Sequence, residues 1–197
     1  MDWDQRYKED DKPWDKGTAT PVLFELSEKA SAYFKPGFKT LVPGCGLGHD
    51  VALLRILGLE AYGLDISETA LNTAKELYSD LGDVWIIDDL FQLKDKDGSY
   101  DLIWEHTCYC AILPEQRTDY IKNMLRILKP GAYFAGVFFL DTGKAPDVGP
   151  PFSTTKDDVI QLFAPYFELI WEAKPNQSYP GRENREHVII WRKPTRS

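Results

Sequence analysis

Short apolar runs alternate with amphipathic stretches along most of the chain. "FKTLVP" (38–43) has the length and composition of a strand, and after a glycine-rich break "HDVALLRILG" (49–58) repeats its apolar residues at helical spacing. "EAYGLD" (60–65) and "DVWIID" (83–88) predict two more strands, separated by a helix over 67–82 that Ser67 caps and Gly82 stops. "SYDLIWE" (99–105) predicts a fourth strand, "PEQRTDYIKNMLRILKPG" (114–131) a helix with Pro114 in its first turn and "KPG" as its stop, and "AYFAGVFFL" (132–140) a long buried strand. Such alternation predicts parallel strands joined by crossover helices. The C-terminal part differs: 155–166 reads as a helix, and "FELIWEAKP" (167–175) and "REHVIIWRK" (185–193) as two strands joined by a short Pro/Gly loop, hence antiparallel.

The fold expected is therefore α/β, a Rossmann-like doubly wound seven-stranded sheet, mostly parallel, with a C-terminal antiparallel hairpin. One domain is expected over 1–197, because 197 residues with 43% apolar content bury a sizeable core. Within it, 1–35 is expected to form a helical N-terminal segment lying over the site and 36–197 the core. The first 20 residues are polar yet carry Trp3, Tyr7 and Trp14, more aromatic surface than a solvated tail needs.

Composition narrows the partners. A formal charge of −8 opposes attraction to phosphate backbones or anionic lipid, so nucleic acid is not expected. No window approaches the roughly 18 apolar residues of a membrane span, and "MDWDQRYKED" is too charged for a secretory signal. A cytoplasmic protein, monomeric and acting on a small molecule, is the expectation. Cys45, Cys108 and Cys110 are too few for a disulfide framework, and with His49, His106 and His187 they form no metal-ligand spacing, so no metal is expected.

The candidate chemistry sits at the first strand-to-helix break, "LVPGCGLGHD" (41–50), with Gly44, Gly46 and Gly48. In an open parallel sheet this turn faces the ligand crevice outside the carboxyl ends of the strands. Residues without Cβ turn tightly there and bring bare backbone to a ligand. A dinucleotide site would use G-x-G-x-x-G, whose third glycine is His49 here, and a phosphate-binding P-loop would need Lys followed by Ser or Thr. Neither phosphate class matches. A nucleoside with a small zwitterionic tail suits the crevice, and S-adenosylmethionine is such a molecule.

Asp65 ends the second strand, where a carboxylate accepts hydrogen bonds from both ribose hydroxyls. After the third strand "DDLF" offers Asp88 and Asp89 to the adenine amino group and Leu90 and Phe91 to the ring, and after the fourth Glu105 is expected beside the charged tail. Cys45 within the loop and Ser67 after Asp65 complete the expected cofactor contacts. A tight turn with no ligand, or acids that merely cap turns, are the alternatives for each feature taken alone. Their order along successive strands at one sheet edge is what favours a nucleoside site.

These residues resemble class I S-adenosylmethionine-dependent methyltransferases, and more narrowly the thiopurine, thiol and halide methyltransferase family. "PWDKGTATP", "LVPGCGLGHDV", "GLDIS", "DLF", "CAI", "LKPGAYF", "GPPF" and "GRE" stand in that family's order over nearly the whole chain. The resemblance implies that Gly44, Gly46, Gly48, Asp65, Ile66 and Asp89 hold the cofactor, leaving as S-adenosylhomocysteine, and that Trp3, Tyr7 and Trp14 lie over it. Two positions depart: Val42 stands where most methyltransferases carry an acid, and His106 where relatives often place a tyrosine or arginine toward the acceptor.

Methyl transfer asks the protein for binding, alignment and desolvation, because the sulfonium already activates the carbon. Trp14, Tyr7, Tyr109 and Phe152 are candidate aromatic walls, His106 the candidate for taking a thiol proton or attracting an anion, and Arg182 a guide for an anion. Cys108 and Cys110 read as packed thiols, and His49 and His187 as structural. The acceptor expected is a thiol, sulfide, thiopurine or halide. O- or N-methylation of another small metabolite, and a non-catalytic module that only binds the cofactor, remain alternatives. A nicotinamide-dependent oxidoreductase is disfavoured by His49 and by the lack of a Tyr-x-x-x-Lys pair.

Overall fold

The computed structural model describes residues 1–93 and 97–195. Thirteen helices and strands follow in the order α1 (Trp3–Lys8), α2 (Pro21–Lys29), β1 (Lys39–Pro43), α3 (His49–Ile56), β2 (Glu60–Asp65), α4 (Glu68–Leu77), β3 (Trp85–Ile87), β4 (Tyr100–His106), α5 (Arg117–Ile127), β5 (Leu128–Phe139), α6 (Lys156–Phe163), β6 (Glu168–Ala173) and β7 (Glu186–Arg192). They build one seven-stranded sheet of order β3-β2-β1-β4-β5-β7-β6. β1 to β5 pair in parallel, and β7 runs antiparallel to both β5 and β6. The strand order reverses between β1 and β4, so the crevice expected at a switch point opens there.

Both faces of the sheet are covered, which explains why its strands read as continuous apolar runs. Successive residues point to opposite faces. Leu41, Ile103, Phe134 and Ile189 pack with Tyr120, Ile121 and Met124 of α5 and Phe163 of α6. Their neighbours Val42, Leu102, Ala135 and Ile190 pack with Leu23 and Leu26 of α2 and Val51 and Leu54 of α3. Among the described residues no helix is long and apolar enough to cross a membrane.

Three boundaries differ from the sequence expectation. The helix predicted over 114–131 starts as a 3-10 turn (Pro114–Gln116) and ends at Ile127, and "KPG" falls inside β5. There the register shifts between Tyr100↔Leu128 and Leu102↔Tyr133, a bulge in which Gly131 takes φ +78. α4 stops at Leu77, before Gly82, because Tyr78 leaves the helix and places its hydroxyl 2.5 Å from His49 Nδ1. The β6–β7 connection is not short: it spans 174–185 and folds back against the N-terminal segment, where the Glu25 carboxylate accepts from the backbone amides of Asn176 and Gln177.

Candidate active site

Gly44, Gly46 and Gly48 all have positive φ, at +59, +53 and +78, so the loop after β1 uses the left-handed backbone that glycine alone adopts cheaply. Much of what they approach is the protein itself. A Cβ on Gly44 would meet Cys108 Sγ at 2.8 Å, one on Gly46 Tyr7 Oη at 2.6 Å, and one on Gly48 the Trp85 ring at 2.3 Å. Gly48 thus does the close packing that the third glycine of a dinucleotide loop performs. His49, the residue after it, joins two segments instead: Nδ1 faces Tyr78 Oη, and Nε2 lies 3.1 Å from Asp15 of the N-terminal segment.

Asp65 closes β2 and is 7% exposed. Its Oδ2 accepts from Gly46 N at 2.8 Å and its Oδ1 from Ser67 N at 2.9 Å. Burial pushes this carboxyl up against the downward pull of the Ser67, Gly46 and Ile66 amides. A carboxylate has about four lone-pair sites, so two amide donors leave acceptor capacity for a vicinal diol. Beside it, Ile66 and Ile87 expose 53% and 58% of their surface, a flat apolar ledge next to a carboxylate, and this donor and acceptor set fits an adenosine. Ile87, the register partner of Asp65 across the sheet, carried no sequence signal.

The other predicted cofactor contacts divide. Cys45 lines the cavity, while its thiol is pushed well up by burial. Asp88 and Asp89 sit where expected, but Asp89 Oδ1 accepts from Phe91 N and Asp88 Oδ1 from Asp89 N, so both shape the turn. Leu90 and Phe91 pack on the core beneath it, their carbonyls accepting from the Asn123 side chain. Ser67 is a correction: it is fully buried, its Oγ accepts from Ala70 N as the cap of α4, and its one hydrogen is donated to Asp4 Oδ1 at 2.9 Å, so the side chain serves the helix cap and the N-terminal segment. Glu105 is another. Rather than lying beside a ligand, it is 1% exposed, with Oε1 accepting from Cys108 N and Tyr109 N and Oε2 from Tyr120 Oη at 2.5 Å. Burial pushes its carboxyl up, and it anchors the turn after β4.

That turn carries the residues expected on the acceptor side. His106 ends β4, and Thr107 follows with φ +62, a left-handed conformation unusual for a β-branched residue. His106 Nδ1 lies 2.9 Å from Asp50 Oδ2, its ring stacks on Tyr179 at 6.0 Å between centroids, and its Nε2 faces Arg182 Nη1 at 3.3 Å. Arg182, 8% exposed, also donates to the Trp14 carbonyl at 3.1 Å and pairs with Glu186 Oε1 at 3.5 Å. Asp50 is equally buried and accepts from Thr20 N and Trp104 Nε1, both at 2.8 Å. Burial alone would raise its carboxyl, but His106, Trp104 and Thr20 together hold it below the usual carboxylate range.

The N-terminal segment closes the site from above. Asp4 accepts from Thr69 N at 2.8 Å, Tyr7 accepts from Trp14 Nε1 at 3.1 Å over Gly46, and Trp3 and Tyr7 both meet Trp14 edge-on. Arg6 covers the outer face of Trp14 at 4.3 Å. Tyr7 and Trp14 therefore do line the cavity with Gly46, Cys45 and His106. Tyr109 and Phe152 do not: Tyr109 packs in the core against Phe138 and Phe163 under the Arg117 guanidinium, and Phe152 is held behind the turn through Cys110 O. The cavity measures about 70 Å³, several times the roughly 10–15 Å³ one water needs. Sequence reasoning missed Asp50 and Tyr179, whose partners lie far away along the chain.

A family model described as thiopurine S-methyltransferase (TPMT) matches residues 1–191. Thiocyanate methyltransferase 1 of Arabidopsis thaliana is 31% identical over 196 residues, covering 97% of this chain and 84% of that protein. Thiopurine S-methyltransferase of Vibrio atlanticus (strain LGP32) is 28% identical over 160 residues, 74% of this chain and 72% of the relative. In fold, the chain is similar to 1,6-didemethyltoxoflavin-N1-methyltransferase of Burkholderia thailandensis, solved with 1,6-didemethyltoxoflavin and S-adenosylhomocysteine. The TM-score is 0.78 at 18% identity, covering 96% of this chain and 84% of that one. The chain belongs to the thiopurine S-methyltransferase family, whose members are S-adenosylmethionine-dependent methyltransferases.

Proposed function

We propose that this enzyme methylates a small soft nucleophile, a thiol, sulfide, thiopurine or halide, in the cavity between the glycine loop and the turn after β4. The observation that carries this reading is the approach of Arg182, a buried cation, to within 3.3 Å of His106, a proton acceptor that lines a small cavity together with Tyr7 and Trp14. It also agrees with relatives named for thiocyanate, thiol and thiopurine methylation.

In this reading Asp65 holds the ribose, Ile66 and Ile87 flank the adenine with Asp88 and Asp89 at its edge, and Gly44, Gly46 and Gly48 border the tail. Trp3, Tyr7 and Trp14 cover it. Bound there, S-adenosylmethionine supplies a methyl group on a sulfonium, and aromatic faces attract such a cation by roughly 0.5 to 2 kcal/mol. The chain's own residues exclude water, hold the acceptor and take its proton, with His106 receiving it and Arg182 steadying the anion. The same reading has the chain working as a cytoplasmic monomer, apart from nucleic acid.

Labelled cofactor offered with hydrosulfide, small thiols, thiopurines and iodide tests it, and methyl transfer onto at least one of them is expected. No transfer to any of these overturns the reading. His106→Ala should lower thiol turnover far more than cofactor affinity. Equal losses in both count against an acceptor role for His106.

A further inference from the structure

The donor and acceptor inventory around His106 fixes its proton. An arginine has only N–H donors, so the ring nitrogen that faces Arg182 Nη1 at 3.3 Å must be the bare one. An ionised carboxylate only accepts, so the nitrogen at 2.9 Å from Asp50 Oδ2 must carry the hydrogen. Every other group touching Asp50 is a donor too: Trp104 Nε1 shares Oδ2, and Thr20 N holds Oδ1, each at 2.8 Å. A protonated Asp50 would turn a hydrogen against one of these three donors. Burial this deep is unfavourable for an unpaired carboxylate, and three donors, of which one is an imidazole, offset it.

We propose that Asp50 is the positioning residue of the acceptor site: it holds His106 as the Nδ1–H tautomer, so that Nε2 takes the proton of a thiol acceptor while Arg182 retains the thiolate. This rests on the methylation reading above and names which acceptors need the machinery. When a thiol enters, its S–H bond breaks, the proton goes to Nε2, and the electron pair stays on sulfur. The imidazolium so formed is paired with the Asp50 carboxylate, and the Arg182 N–H turns from Nε2 to the sulfur anion. Glu186, the carboxylate 3.5 Å from Arg182, keeps that guanidinium in place. An acceptor that is already an anion, such as iodide, has no proton to lose and does not need the Asp50–His106 pair. The Asp50 carboxylate also anchors Thr20, where the N-terminal segment enters α2, so the same side chain ties the cover of the site to the aim of the base.

Long-range proton–nitrogen spectra of the protein labelled with ¹⁵N-histidine read the tautomer directly. With three histidines in the chain, loss of one signal set in His106→Gln assigns His106. The expected result at neutral pH is a protonated Nδ1 and a bare Nε2. A dominant Nε2–H form overturns the assignment, and this needs no Asp50 variant to fold. In Asp50→Ala, which leaves no acceptor at Nδ1, the Nδ1–H preference should be lost and thiol turnover should fall roughly 10²–10⁴-fold further than iodide turnover. An Asp50→Ala protein that keeps the Nδ1–H form, or loses both activities alike, overturns the proposal. A wild-type protein with the expected tautomer that methylates neither thiol nor iodide leaves Asp50 as positioned and overturns the acceptor reading instead.

Discussion

A Cβ on Gly46 would lie 2.6 Å from the hydroxyl oxygen of Tyr7, with the next ring atom at 3.8 Å. The glycine loop after β1 and the N-terminal segment over it are therefore fitted to each other at one atom.

Gly46→Ala should be doubly unfavourable. Its φ of +53 costs a side chain about 1–2 kcal/mol, and the methyl group evicts Tyr7. Tyr7→Phe alone loses the hydrogen bond from Trp14 Nε1, worth about 0.5–1.5 kcal/mol. In the double variant the clash disappears and only the strain remains. Thermal melts and S-adenosylhomocysteine titrations of the four proteins should therefore show the double variant better than the sum of the singles, by an amount in the 0.5–3 kcal/mol range of contacting pairs. Simple additivity would mean that Tyr7 and Gly46 are not in contact.

The cover is pinned at its far end by Asp4, which accepts from Thr69 N and Ser67 Oγ at the start of α4. Asp4→Ala removes both bonds and leaves the core untouched. Weaker S-adenosylhomocysteine binding is expected, with faster proteolysis within residues 1–20 and an unchanged kcat at saturating cofactor. Unaltered affinity together with unaltered proteolysis would show that Asp4 does not hold the segment down.

Most of the sheet was legible in the sequence because strands covered on both faces have to be apolar throughout, as Leu102, Ile103 and Trp104 are. The end of α5 was not, because "KPG" stops a helix and makes a strand bulge with the same residues, and only the pairing of Tyr100 with Leu128 separates the two. The glycine loop and Asp65 stood out by their spacing, and the structure brings them together, Asp65 Oδ2 accepting from Gly46 N. Asp50 did not stand out: an acid in the first turn of a helix reads as a complement to the helix dipole. Its three donors lie 30, 54 and 56 residues away, brought together only when α2, β4 and α3 pack. Glu105 was misplaced for a related reason, since its position near the end of β4 does not reveal that the following amides turn back onto it.

Glu105 gives a pH-dependent prediction. Burial raises its carboxyl above the unfolded-state value, so its contribution to stability is full below that value, about 4.3, and is lost as pH rises through the folded-state value. Glu105→Gln keeps an oxygen for the Cys108 and Tyr109 amides, turns an N–H toward Tyr120 Oη, and cannot ionise. The melting temperature of the variant minus that of the wild type should therefore grow as pH rises from about 4.3 toward neutrality. A difference that stays flat or shrinks with pH would refute the assignment of that burial cost to Glu105.

Thr107 bears the strain of the turn that aims His106. At φ +62 a β-branched residue pays about 1–2 kcal/mol, and the conformation is imposed from both sides: Glu105 Oε1 holds the amides of Cys108 and Tyr109, and Cys108 packs against the bare Gly44. Thr107→Gly removes the strain but adds roughly 0.5–1 kcal/mol of backbone entropy on unfolding. Strain relief equals or exceeds the entropy, so the variant should melt at the wild-type temperature or be up to about 1.5 kcal/mol more stable. The same freedom loosens the turn, so kcat for a thiol should fall while S-adenosylhomocysteine affinity, which the proposed function assigns to Asp65 and the glycine loop, stays unchanged. Chemical denaturation and steady-state kinetics on one preparation read both effects. A variant clearly less stable than wild type would mean that Thr107 makes contacts worth more than the strain it carries, and that its left-handed backbone is not what the turn stores.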